Sequence, residues 1–299
     1  MKPAWAGLAT ESRNPRSRRL DEMPTASVVA LLLDEDRRAV AAAARSVPAI
    51  TRAAILAAKA LESGKRLHFI GAGTSGRLGI LEAAECPPTF GSDPDRIRGV
   101  MAGGEGAVFR AVEGAEDRED DGRREGSLVD VGDLLIGISA SSVTPFVRGA
   151  LSAARDRGAG TVLVTCVPGR GLSGLADVLI AIATGPEVLT GSTRLKAGSA
   201  TKAVLNAITT AAMVRLGKAF ENLMVDLRPT NAKLRDRALR IVATAGGVER
   251  AEAERLLEAA GGEVKTAIVM ARTGGTSDAA RARIARAGGH VRKALAKKG

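Results

Sequence analysis

Two short segments rich in glycine and hydroxyl residues, and two glutamates that follow the first of them, are where this sequence could do chemistry. The first segment, Ile70-Gly-Ala-Gly-Thr-Ser-Gly-Arg77, ends an apolar run and opens a helix-like stretch that reaches Glu85 just before a Cys86-Pro87-Pro88 stop. A strand, a tight turn and a helix in that order make an anion site. The helix N-terminus offers unpaired N–H groups and the positive end of its dipole. Glycines such as Gly73 let the backbone approach a ligand, and Thr74 and Ser75 add hydroxyl donors. The second segment, Ser139-Ala-Ser-Ser-Val-Thr144, ends another apolar run. Thr144 suits an N-cap and Pro145 the first helical position. A cap does not need so many hydroxyls. With Ser139, Ser141 and Thr144 beside the first turn, two loops at the carboxyl ends of parallel strands can surround one phosphate.

Two carboxylates near a phosphate suit acid–base work, because burial and like charge can separate their pKa values. Glu85 reads equally as an ordinary helix-end carboxylate. Glu116 lies in the acid-rich stretch 113–121, which taken alone reads as a solvated charge run. Arg194 and Lys196 could hold a substrate carboxylate or simply pair with Glu187. The spacing Gly71-x-Gly73-x-x-Gly76 also fits a dinucleotide fingerprint, which expects a ribose-binding acid about 20 residues on. Here the next apolar run ends in Ala102-Gly-Gly104, and Glu105 comes late. Cys86 and Cys166 read as buried small residues and His68 as a core residue of a strand. Neither a metal nor another cofactor is expected.

The elements that must position these residues follow from periodicity. Apolar residues recur at helical spacing over 28–44 and 50–61. Strand candidates at 67–70, 97–101, 134–139, 161–166 and 178–183 then alternate with helix candidates at 76–84, 107–113 and 145–156. Apolar strands between helices predict a doubly wound parallel α/β sheet covered on both faces, which binds ligands beyond the carboxyl ends of its strands. A long apolar helix is expected over 197–218, and helices broken by glycine pairs from about residue 231 onward. We expect an N-terminal arm and helix at 1–50, a catalytic domain at 51–238 and a small C-terminal helical domain at 239–299.

The 299 residues carry a net charge of +11, which first suggests nucleic acid. The arginines are spread along the chain, however, and with no tyrosine, one tryptophan and five phenylalanines there is little to stack on bases. A basic field also draws in small anions. No uninterrupted apolar run approaches the roughly 18 residues of a membrane span, and the N-terminus lacks a signal-like apolar region. A cytoplasmic protein with no nucleic-acid or membrane partner is expected.

Ser-x-Ser-x-x-Thr in this setting resembles the sugar-isomerase (SIS) phosphosugar-binding domain. The resemblance narrows with Thr10-Glu-Ser-Arg-Asn14, Leu20-Asp21, Ile70-Gly-Ala-Gly-Thr-Ser-Gly-Arg-Leu-Gly79, Ala84-Glu-Cys-Pro-Pro-Thr-Phe90, Ala102-Gly-Gly104 and Ala111-Val-Glu-Gly-Ala-Glu-Asp117. Gly185-Pro-Glu-Val-Leu-Thr-Gly-Ser-Thr-Arg-Leu-Lys-Ala-Gly198, Asn222-Leu-Met-Val-Asp226 and Thr230-Asn-Ala-Lys-Leu234 continue it, and Lys265-Thr-Ala-Ile-Val-Met270 fits the tail. The sequence resembles the N-acetylmuramic acid 6-phosphate etherases. That resemblance implies an SIS-type sandwich, a phosphorylated amino sugar as substrate, a homodimer, and cleavage of a lactyl ether without metal or nicotinamide. It matches Glu85 to the family's catalytic glutamate and Glu116 to its second essential acid. One departure stands out. The family usually has Ala-Ser-Gly-Arg-Thr-Pro-Tyr where this chain reads Ala140-Ser-Ser-Val-Thr-Pro-Phe146, so affinity or substrate range is expected to differ. A non-catalytic phosphosugar sensor on the same fold is the alternative; the presence of both acids favours the enzyme.

Overall fold

A computed structural model describes residues 7–169, 172 and 174–296. The chain packs as two compact units, one of residues up to Ala84 with Asp95–Thr209, the other of Glu85–Pro94 with the residues from Thr210 on. The boundaries expected at 50/51 and 238/239 both fall inside helices.

The first unit opens with helices α1 (Thr25–Ala43) and α2 (Val47–Glu62). It continues through β1 (Leu67–Gly71), α3 (Gly73–Phe90), β2 (Ile97–Met101), the short α4 (Gly106–Phe109), α5 (Glu119–Ser127), β3 (Leu134–Ile138), α6 (Pro145–Asp156), β4 (Gly160–Thr165), β5 (Val178–Ala181) and α7 (Lys196–Arg215), of which α3 from Glu85 and α7 from Thr210 belong to the second unit. All five strands are parallel, in the order β2-β1-β3-β4-β5. Every residue of β1 and β3 is buried, as a sheet covered on both faces requires. Phe69, Ile136 and Val162 are fully enclosed between the helical layers. Helices α5 and α6 meet through small residues: a Cβ on Gly122 would fall 1.9 Å from the Phe146 carbonyl oxygen. The charged stretch that becomes α5 carries no apolar periodicity, so periodicity alone does not reveal it.

Helix α3 differs most from expectation. It begins at Gly73 and runs through Pro87 and Pro88 instead of stopping before them. Proline cannot donate to the carbonyl four residues back, so those of Ala83 and Ala84 lose their helical partners and the turn that carries Glu85 is weakened. Gly91, at φ +60°, ends the helix, its N–H bonded to the Pro87 carbonyl. The helical run Thr25–Glu62 reaches a mean hydropathy of 1.3 over 18 residues, enough by composition for a membrane span, although 33% of that window is buried in the fold.

The second unit holds a hairpin of β6 (Ala219–Phe220) and β7 (Leu223–Met224), then α8 (Ala232–Gly246), α9 (Arg250–Ala259), α10 (Val264–Thr273), α11 (Ser277–Arg286) and α12 (Val291–Leu295). Leu227, Val242, Leu257 and Ile268 centre its core. The glycine pairs fall at helix ends as their backbone freedom dictates, Gly247 and Gly274 being left-handed caps.

His68 lies inside the sheet, where its Nε2 donates to Asp133 Oδ2 at 3.0 Å. Burial pushes the imidazole below its usual range, and the Asp133 charge only partly opposes this. The unfolded chain therefore takes up a proton that folded His68 refuses. Its contribution to stability is complete above the unfolded pKa of about 6.5 and is lost as pH falls below it. Thermal unfolding measured between pH 8 and 5.5 should show a loss in Tm below about pH 6.5 that His68→Gln flattens. Equal slopes in the two proteins would show that His68 carries none of it.

Candidate active site

The two hydroxyl-rich segments meet at the point where the sheet changes winding direction. β1 and β3 are neighbours in the middle of the sheet, and their carboxyl ends are level, Gly71 lying opposite Ile138. From β1 the chain leaves toward β2, and from β3 toward β4, so α3 and α6 diverge and leave a crevice. Ligands of open parallel sheets bind in that crevice.

Because α3 starts at Gly73, Thr74 and Ser75 occupy its first turn, half-buried. The glycines permit this. A Cβ on Gly71 would lie 2.7 Å from the Gly76 nitrogen, and one on Gly76 would lie 2.7 Å from the Gly71 oxygen. Strand end and helix start are thus in backbone contact, and the α3 N–H groups face the crevice mouth. In the second segment Ser139 is buried and its hydroxyl bonds Thr144 Oγ1 at 2.8 Å. This ties the two ends of the loop together and leaves the Thr144 hydroxyl turned away from capping α6. Ser141, between them, is half-buried. Ser142 adopts φ 62°, a left-handed conformation that costs a non-glycine residue roughly 1–2 kcal/mol. The loop therefore keeps a glycine-like backbone with a serine in place.

The start of α7 borders the same region. A Cβ on Gly198 would lie 3.6 Å from the Thr74 methyl group. The first two α7 N–H groups are already spent: Glu187, fully buried, accepts from the Lys196 and Ala197 nitrogens at 3.2 and 2.9 Å. Burial pushes the Glu187 carboxyl above its usual range in spite of these donors. The Lys196 ammonium turns instead to Glu35, 2.5 Å away on α1, where Arg16 and Asn14 also donate. Arg194 is exposed and has no ion-pair partner among the described residues.

Glu116 lies near a cavity of about 180 Å³ that Gly73, Arg77, Met101, Ala107 and Val112 also line. The first turn of α3 and the second candidate acid thus share one space. Arg77 organises it by donating to the Val108 and Ala107 carbonyls at 2.7 and 2.8 Å, fastening α4 across α3. Elsewhere in the acidic stretch Glu119 pairs with Arg123 and Asp121 with Arg124, whereas Glu116 is exposed with no partner among the described residues. Glu85 is exposed on α3, ten residues beyond Ser75 on the same helix. Cys166 is buried, and burial pushes its thiol up to about 11, so it is no nucleophile at neutral pH. No cluster of three metal-ligating side chains occurs among the described residues.

The sequence also matches known proteins. A family model described as the glucokinase regulatory protein N-terminal SIS domain matches residues 49–155, and the SIS domain model matches residues 112–211. An N-acetylmuramic acid 6-phosphate etherase of Gloeobacter violaceus is 52% identical over 90% of this chain and 88% of its own length. One from Cutibacterium acnes is 51% identical over 96% of this chain and 95% of its own length. The chain belongs to the N-acetylmuramic acid 6-phosphate etherase family. A further etherase, from Halalkalibacterium halodurans, is 50% identical over 96% of this chain and 97% of its own length. A solved phosphoheptose isomerase of Neisseria gonorrhoeae aligns with a TM-score of 0.47 at 21% identity, over 64% of this chain and 98% of that one.

Within this etherase-family chain, sequence reasoning overlooked Arg77 and Glu35. Arg77 stood in the quoted Thr-Ser-Gly-Arg motif without a role. Glu35 sits in a charged run that reads as a solvent face, and only its burial against Lys196 distinguishes it.

Proposed function

We propose that this chain cleaves the D-lactyl ether of N-acetylmuramic acid 6-phosphate, giving N-acetylglucosamine 6-phosphate and D-lactate. The observation that carries this reading is the level pairing of β1 and β3, which sets two hydroxyl-rich helix N-termini side by side with Glu116 near the first. Thr74, Ser75, Ser141 and the N–H groups around Gly73 hold the phosphate, and Ser139 and Thr144 brace the second loop. The ring-opened sugar has an aldehyde at carbon 1 that acidifies the carbon-2 proton. Glu85 removes that proton, lactate leaves from carbon 3, and water adds to the unsaturated aldehyde with Glu116 as its acid–base partner. The curated relatives are named as etherases, which favours this enzyme over a non-catalytic sensor.

We propose a homodimer with composite sites. Val29, Leu33 and Val40 of α1, together with Val47 and Ile55 of α2, are 41–65% exposed and offer apolar surface for such pairing.

Purified protein should release D-lactate from the phosphorylated sugar and not from its unphosphorylated counterpart. Ser75→Ala should raise KM about tenfold, the loss of one charge-assisted hydrogen bond, with kcat little changed. Equal turnover of both sugars would remove the phosphate loops from the mechanism. A fully active monomer in sedimentation at micromolar concentration would remove the shared site.

A further inference from the structure

The second unit contains a cavity of about 660 Å³ to which the mechanism above assigns no role. Its size falls in the range of small-molecule sites. On one wall Asp226 receives two ammonium groups, Lys218 Nζ and Lys265 Nζ, each 2.8 Å from Oδ2. One carboxylate between two ammoniums leaves a positive charge unmatched. Arg228 adds a second, since it is exposed and has no carboxylate partner among the described residues. Of the other charged lining residues, Glu263 pairs with Arg281 at 2.9 Å, and Arg281 also meets the exposed Asp278, outside the lining, at 3.2 Å. The lining as a whole therefore holds a cationic surplus in a concave space. Lys265 is deeply placed, its side chain 11% exposed, so water screens it poorly and a second anion would be attracted strongly.

We infer that this cavity binds a small oxyanion, a carboxylate or a phosphate monoester, held by Lys265, Lys218 and Arg228. The chain geometry gives such a site a route to the chemistry within one unit. Gly91 ends the helix that carries Glu85, and a Cβ there would fall 2.2 Å from the Asp226 carbonyl oxygen. The backbone of the anion-site aspartate thus packs closely against Gly91 at the end of α3, six residues beyond Glu85.

The test is isothermal titration of the full chain carrying Ser75→Ala and Ser141→Ala, which weakens the phosphate loops. Inorganic phosphate, D-lactate and N-acetylglucosamine 6-phosphate are the three probes. At least one should still saturate with one equivalent per chain, and the comparison shows whether phosphate or carboxylate is the group preferred. Adding Lys265→Met or Arg228→Gln should then weaken that Kd about tenfold or more, the loss of one charged hydrogen bond. Arg228→Gln changes an exposed residue and decides the matter should Lys265→Met fail to fold. Failure of all three anions to saturate the loop variant at millimolar concentration, or a Kd that Arg228→Gln leaves unchanged, overturns the inference.

Discussion

Glu85→Gln should lower D-lactate release from N-acetylmuramic acid 6-phosphate by about 10²-fold or more, the contribution of a positioned general base. The amide keeps the size and hydrogen bonding of the side chain and removes only its basicity. Glu85 is exposed and has no partner among the described residues, so the change leaves no buried group unpaired and folding should be unaffected. Exchange of the carbon-2 hydrogen with deuterated water should fall in parallel, because proton abstraction precedes loss of lactate. Binding of the phosphosugar should survive, since the loops after β1 and β3 hold the phosphate. Glu116→Gln should also slow turnover while leaving exchange measurable, as expected of an acid that acts after the first proton transfer. Near-normal exchange in Glu85→Gln would transfer the role of base to another residue, with Glu116 the first candidate.

Lys196→Met should destabilise the protein by about 3 kcal/mol, the lower end of what breaking a buried ion pair costs. Glu35 is 3% exposed and takes hydrogen bonds from Lys196, Arg16 and Asn14. Burial pushes its carboxyl up, and these donors more than offset that, holding it below the usual carboxylate range. Its stabilisation is therefore present above the unfolded pKa of about 4.3 and lost as pH falls below it. Removing the ammonium leaves Glu35 with Arg16 and Asn14 of the N-terminal arm and the more distant Arg38, 3.8 Å away. Calorimetry should show Tm lowered by several degrees, and Glu35→Leu with Lys196→Met should recover much of it, because the pair then leaves together. The same variants separate two roles for Lys196. An unchanged Tm with a large rise in KM would make it a ligand of the substrate's lactyl carboxylate. The expected result, a lowered Tm with KM little altered, makes it the anchor of α1 on α7.

Much of this architecture is dictated locally. Alternating apolar strands and helical stretches require a covered parallel sheet, and the glycine and hydroxyl segments after β1 and β3 can only be turns into helices, since their backbones need close approach and left-handed φ. The motif residues from Thr10 to Leu234 likewise carry the family on their own. Other features depend on neighbours distant in sequence. Helix α3 passes through two prolines, and no local propensity predicts that. Glu35 looks like part of a solvated run until α7 brings Lys196 against it. Ser142 holds a glycine's conformation because the Ser139–Thr144 hydrogen bond closes the loop around it. Glu116, like Glu113, differs from the acidic residues after it in lying near the cavity at Gly73 that Arg77 also lines. Local sequence sets which backbone conformations are open to each segment. Which charges are buried, paired or left free depends on contacts between segments, and those exist only once the chain has folded.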